Sequence, residues 1–411
     1  MAARKGPVAL LATELGGGRG HVATLARVAR ALGPGVAKVA AIGAMRHAAE
    51  LEAQGVRVLR CPQLAPTPEA KANPLSRGNA TWSCYLADCG FMRPDVLGTS
   101  LSFWRQVMLA EEVSILIADY APLAQRAALA LRDEGRNIRI ITVGTGYGIP
   151  PAGLEPLPHL APGYDRVIHP EAQVLDSLNR VCARMGMAPL PRLAALYDAD
   201  LALPGTFPFL DPYGQWRPAA ALVPPLVERT AGLAAGDEVF VYFSREEAEL
   251  PALAEALCRL PLPRRGFLPG APDQVKARLA ASGMIVETAP MAVDLIAERS
   301  RIMVHPSPHG SLCTAALAGL PQLGLPGHRE QVAHARRAEA AGVLRVLPQK
   351  GSTAEEIVAA IEALYHDAGA QQRAQDLARD LRQGFPADPL ADLAARLVPE
   401  VEAARRFNRA G

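Results

Sequence analysis

The chain has 411 residues, half of them hydrophobic and a fifth charged, with a formal net charge of only +2. This is an ordinary globular composition, long enough for two domains of roughly 150–200 residues each. It excludes a basic nucleic-acid stripe, and no apolar stretch approaches the roughly 18 residues that span a bilayer.

The chain opens with the pattern strand, glycine loop, helix. Val8 to Ala12 is a continuous apolar run, as a strand buried on both faces of a parallel sheet requires. At five residues it is too short for a secretory signal, so a cytoplasmic location is the expectation. Gly16 to Gly20 forms the turn, and Val22, Leu25, Ala26, Ala29 and Leu32 recur at helical spacing. Strands are predicted over 36–42 and 56–59, with a helix around 45–54 between them. This βαβαβ alternation calls for a parallel sheet faced by helices.

Residues 62–100 break that rhythm with Pro, Asn, Ser and Gly. Trp82, Tyr85, Phe91 and Trp104 lie in or just after the break. A long insertion of this kind is usually functional, and these four aromatics are read either as the lining of an apolar pocket or as core. The rhythm resumes with strands over 113–118 and 138–143. A stretch over 204–225 reads as linker. A second α/β half begins near Glu238, with strands over 238–243, 284–287, 302–305 and 323–326 and helices near 247–258, 292–298, from Ser311 and beyond Glu330. The six cysteines contain no C-x-x-C pair and read as buried thiols.

Two turns carry chemistry. The first, Gly16 to His21, lies where a strand hands over to a helix, so glycines and a helix N-terminus can meet an anion. His21 occupies the sixth position of the loop, where a G-x-G-x-x-G dinucleotide fingerprint needs Gly. A P-loop is absent as well. His21 suits a general base, and Asp119, just past the strand over 113–118, suits the carboxylate that orients it. Helix capping by each residue is the alternative. The second turn runs from Val304 to Ser311 and supplies His305, His309, Gly310 and Ser311 to another helix start. Glu330 and Gln331 follow just beyond the next strand, and a carboxylate beside a carboxamide suits sugar hydroxyls. Ordinary surface turns are the alternative here. Asp198-Ala-Asp200 has the letters of a metal motif but reads as a loop pair.

Together these residues resemble the GT-B nucleotide-sugar glycosyltransferases, in particular UDP- and TDP-sugar-dependent enzymes. Gly20-His21-Val22 is similar to that family's Gly-His-Val/Ile element, and Asp119 in Ile-Ala-Asp-Tyr to its acid. Ala318-Gly-Leu-Pro-Gln322, Pro326, Glu330-Gln331 and His334-Ala335 resemble the family's second-half motif "AGVPQ…P…DQ…NA". Pro306 stands where the family's phosphate-contacting second histidine falls, so His305 or His309 is expected to substitute.

The resemblance implies an α/β fold of two Rossmann-like domains facing each other across a cleft. It implies an acceptor domain over 1–215, a linker over 216–235, a donor domain over 236–390 and a last helix over 391–411 that packs back on the first domain. It implies inverting transfer from a nucleoside-diphosphate sugar to a hydroxyl of a small apolar acceptor, with His21 as base and Asp119 as its partner. Gly20, Ser244, Met291, His305, His309, Gly310, Ser311, Glu330 and Gln331 would serve the donor, and Trp82, Tyr85, Phe91 and Trp104 the acceptor. No metal and no cofactor beyond the nucleotide-sugar is expected, and no nucleic-acid partner. A peripheral membrane contact follows only if the acceptor is a lipid. A sugar-nucleotide epimerase and a catalytically inactive nucleotide-sugar-binding relative are the alternatives.

Overall fold

The computed structural model describes residues 6–15, 18–62, 64, 81–151, 153–159, 168–244 and 250–410, the last four as backbone only. Gly16 and Gly17 of the first turn, and most of the irregular 62–80 stretch, lie outside the described residues. The chain divides into two compact units. One comprises Met1–Gly205, Tyr213–Leu226 and Leu390–Gly411, the other Thr206–Pro212 and Val227–Pro389. The chain therefore passes between units four times, at 205/206, 212/213, 226/227 and 389/390, rather than through one linker over 216–235.

The first unit is a six-stranded parallel sheet in the order β3-β2-β1-β4-β5-β6. The strands are β1 (Val8–Thr13), β2 (Ala37–Ile42), β3 (Arg57–Arg60), β4 (Ile115–Ala118), β5 (Arg139–Gly144) and β6 (Leu201–Pro204). β1 and β4 are buried at every position, which is why both read as unbroken apolar runs. The helices are α1 (Arg19–Ala31), α2 (Ala48–Glu52), α3 (Trp82–Leu86), α4 (Pro94–Ala110), α5 (Pro122–Asp133) and α6 (Glu171–Arg184). Leu25 and Val28 of α1 join Leu11, Ile42 and Ile117 in one core.

The second unit repeats the plan in the order β12-β11-β10-β7-β8-β9. Its strands are β7 (Glu238–Tyr242), β8 (Arg264–Phe267), β9 (Ile285–Glu287), β10 (Ser300–His305), β11 (Gln322–Gly324) and β12 (Leu344–Val346). Its helices are α7 (Pro251–Arg259), α8 (Asp273–Ala281), α9 (Val293–Arg299), α10 (His309–Ala318), α11 (Arg329–Ala340), α12 (Ala354–His366) and α13 (Ala368–Gly384). β8 carries two arginines and escapes an apolar pattern. Arg265 is held by Glu238 at 2.7 Å and by Glu287, and Arg264 donates to the Leu260 carbonyl at 2.7 Å. Buried charge is tolerated in this strand because each guanidinium is bonded.

The last helix, α14 (Pro389–Ala410), places Leu393, Leu397, Val401 and Ala404 in the first unit's core. Among the described residues no helix is long and apolar enough to cross a membrane.

Candidate active site

In an open parallel sheet, ligands gather where strands end and helices begin. At the carboxyl edge of the first sheet, β1 leads through the glycine turn into α1, so His21 falls in the first turn of that helix. β4 ends at Ala118, so Asp119 stands at the same edge. The structure brings them together. His21 Nδ1 lies 3.1 Å from Asp119 Oδ1, with the imidazole 17% exposed and the carboxylate 5% exposed. A carboxylate accepts, so Nδ1–H donates and the lone pair sits on Nε2. This is the tautomer of a base, with the lone pair on its second nitrogen.

The surroundings of Asp119 are closely fitted. Tyr120 has φ of +58°, an uncommon conformation for a residue other than glycine. Its ring stacks on the His21 imidazole at 5.8 Å and on Tyr85 at 6.1 Å. The turn after β5, Gly144-Thr-Gly-Tyr-Gly148, packs behind them. A Cβ on Gly144, whose φ is +142°, would stand 3.0 Å from Asp119 Oδ1. A Cβ on Gly148 would stand 2.7 Å from the Tyr120 ring. Sequence reasoning missed Gly144, Gly148 and Tyr120, although a second glycine-rich stretch at a strand end was the available signal.

The four aromatics divide. Trp82, Phe91 and Trp104 have no exposed surface. Trp82 packs on Tyr147 and Tyr197 and donates to the Tyr213 hydroxyl. Burial of these large rings is their role, and this corrects their assignment to an acceptor-lining surface. Tyr85 alone is partly exposed, one ring removed from His21.

The second sheet's carboxyl edge is built differently. β10 ends at His305, Ser307 takes a φ of +60°, and α10 begins at His309. His305 is fully buried. Its Nδ1 accepts the Ser307 N–H at 2.9 Å, so Nε2–H donates to Gln322 Oε1 at 3.0 Å. Burial lowers its pKa to about 4 despite the Gln322 bond. His309 is also buried, with Nε2 2.8 Å from Thr206 Oγ1, Cys313 Sγ 3.6 Å away and the His334 ring 5.0 Å away. Burial, and then His334, bring its pKa down to about 3, while Glu330 acts against them. Burial favours the uncharged form of both rings. The expectation that one of them substitutes for the phosphate histidine finds no exposed ring here, because both imidazoles turn nitrogens to protein partners.

What this edge does present is the first turn of α10. Gly310 is exposed, and a Cβ there would meet nothing within 4 Å. The same holds for Gly20 in α1. Neither glycine is required by internal packing, which leaves room for a ligand to approach backbone N–H groups at both helix starts. Gln331 is buried and its Oε1 accepts the Gly327 N–H at 2.8 Å. Glu330 is 22% exposed and lies 3.7 Å from the buried His334. Ser244 is exposed just beyond β7, and Met291 is half-buried just before α9. Asp200 of the Asp198-Ala-Asp200 pair accepts the Ile140 N–H at 2.8 Å and pairs with Arg132 and Arg139, so it ties β5 to β6.

Comparison with known proteins agrees with this architecture. Residues 272–395 match the family described as "Erythromycin biosynthesis protein CIII-like, C-terminal domain". No curated protein matches the chain. Among solved structures, the chain resembles the calicheamicin glycosyltransferase CalG4 at 16% identity and a TM-score of 0.65, covering 97% of this chain and 98% of that one. It resembles the spinosyn rhamnosyltransferase SpnG complexed with thymidine diphosphate at 18% identity and a TM-score of 0.64, covering 96% and 100%. It also resembles the glycosyltransferase SnogD from Streptomyces nogalater at 18% identity and a TM-score of 0.60, covering 96% and 99%. At these identities the likeness establishes the fold, that of the GT-B glycosyltransferases.

Proposed function

We propose that the chain is a glycosyltransferase that moves a sugar from a nucleoside-diphosphate sugar to a hydroxyl of a small acceptor, with inversion and without a metal. The observation that carries this reading is the His21–Asp119 bond of 3.1 Å at the carboxyl edge of the first sheet. The acceptor binds the first unit and the donor the second. His21 Nε2 takes the acceptor's hydroxyl proton, and Asp119 stabilises the imidazolium that forms. The acceptor oxygen bonds to the anomeric carbon as the bond from that carbon to the diphosphate oxygen breaks. The nucleoside diphosphate departs with the electron pair. Backbone N–H groups at the start of α10, around Gly310 and Ser311, meet its charge, while Glu330 meets the sugar hydroxyls. One displacement at one carbon inverts its configuration. The solved relative with thymidine diphosphate supports a nucleotide of this class. Tyr85, stacked on Tyr120, supports an acceptor with an apolar face.

A second reading has its own observation. His305 and His309 are buried and bonded to protein groups, as suits a protein that binds a nucleotide-sugar without turning it over. One experiment separates the two. The full chain is incubated with UDP-, TDP- and GDP-sugars while binding is followed by calorimetry and nucleoside diphosphate release by chromatography. Binding with slow release supports the transferase, and binding with no release supports the inactive relative. No binding of any nucleotide-sugar refutes both.

A further inference from the structure

Glu14 follows β1 directly and is 1% exposed, an unusual place for a carboxyl group. No cation bonds it among the described residues. Its Oε1 accepts the Ala124 N–H at 2.6 Å, one of the donors that the first turn of α5 leaves over. Its Oε2 has no hydrogen-bond partner among the described residues. The Trp104 indole N–H, which lowers the proton affinity of the carboxyl, also stops short of hydrogen-bond geometry. Burial raises the Glu14 pKa to about 8, so the group is a neutral acid near neutral pH.

α5 starts three residues beyond Asp119, and the segment 119–122 is the turn that holds that carboxylate. The residue after Glu14 ties the same turn, Leu15 N–H donating to the Tyr120 carbonyl at 3.0 Å. The Glu14 carbonyl in turn accepts the Leu64 N–H at 3.1 Å. Segment 14–15 thus holds the turn by backbone at Tyr120 and the start of α5 by side chain at Ala124. A serine or threonine at this point could not reach across, and an apolar residue would leave the Ala124 N–H buried without an acceptor.

We infer that Glu14 is a positioning residue for the His21–Asp119 pair, fixing the Asp119–Tyr120 turn through the start of α5. This rests on reading that pair as the reacting base. Its test, however, does not require turnover. In protein labelled with ¹⁵N-histidine, an imidazole Nδ1–H bonded to a carboxylate gives a downfield proton resonance. His21→Ala and Asp119→Asn assign it by abolishing it. Glu14→Gln keeps an oxygen for the Ala124 N–H and the neutral charge, and should retain the resonance. Glu14→Ala should lose or broaden it while the protein still melts cooperatively. Leu397→Ala, a comparably destabilising cavity in the same unit's core, should keep it, which separates positioning from general weakening.

Retention in Glu14→Ala, or equal loss in Glu14→Gln, overturns the inference. Should Glu14→Ala fail to fold, Glu14→Asp decides. Its side chain is one methylene too short for Ala124, so an unchanged resonance overturns the inference and a lost one supports it. Failure of the transferase reading would show instead as absent nucleotide-sugar binding, with these resonances unaffected.

Discussion

His21 and His309 both stand in the first turn of the helix that follows a central strand of their sheet, yet their surroundings differ. His21 keeps some exposure and a carboxylate partner at 3.1 Å. His309 is buried against Thr206, Cys313 and His334, and burial lowers its pKa. His305, at the strand end just before, is likewise bonded inward through both nitrogens. A histidine at the start of the helix after a central strand is therefore not a functional assignment. Access to solvent and the charge of the partner decide whether the ring carries a proton for a reaction or a hydrogen bond for the fold.

The sharpest way to break this contrast is to remove each ring. His21→Ala should lower nucleoside diphosphate release by about 10²–10⁴-fold, the scale of a lost general base, with donor affinity by calorimetry nearly kept. His305→Ala should instead cost about 1–3 kcal/mol of stability in urea unfolding, the range for leaving buried polar groups such as the Ser307 N–H unpaired. An equally steep loss of release in the folded His305→Ala protein would erase the distinction.

The glycines test the same contrast at smaller cost. Gly148→Ala drives a methyl to 2.7 Å from the Tyr120 ring and should destabilise by about 1–3 kcal/mol as overpacking does. Gly310→Ala meets nothing within 4 Å. Its stability should change by less than about 0.5 kcal/mol, while affinity for thymidine or uridine diphosphate falls. If Gly310→Ala binds nucleotide as the wild type does, the start of α10 is not the diphosphate site.

A further contrast is in pH dependence, where the two edges should run in opposite directions. Glu14 is raised from 4.5 to about 8. Its contribution is complete below 4.5 and is lost as pH climbs toward 8. His305 and His309 are lowered from 6.5 to about 4 and about 3. Their contributions are complete above 6.5 and are lost as pH falls toward those values. Glu14→Gln should therefore gain on the wild type as pH rises, and His305→Gln as pH falls, each with a slope of at most about 1.4 kcal/mol per pH unit. Urea unfolding at stepped pH measures both slopes, and parallel curves for wild type and variant would refute the assignment of the group concerned.

Much of the fold was legible because apolar runs and glycine turns are local signals. β1, β4, β7 and β10 each announce themselves by residues that must leave water, and the helices that follow β1 and β10 by their spacing. β6 and β12 are edge strands of only four and three residues, and β8 hides behind Arg264 and Arg265, the second of which takes its partners from other strands. Those elements were invisible because what stabilises them is supplied from a distance. The His21–Asp119 pairing was within reach, since both residues sit at strand ends of one sheet and topology alone brings such ends together.

The sequence could not say which rings are buried. Trp82, Phe91, Trp104, His305 and His309 look as available in the chain as Tyr85 and His21 do. Nor could it show that Gly144 packs against the Asp119 carboxylate, Gly148 against the Tyr120 ring and Glu14 against the start of α5. Composition and periodicity determined two parallel α/β sheets and a histidine at a helix start. Tertiary packing alone decided protonation and access, because desolvation depends on every neighbour that encloses a group, and those neighbours lie as far as 131 positions apart in the chain.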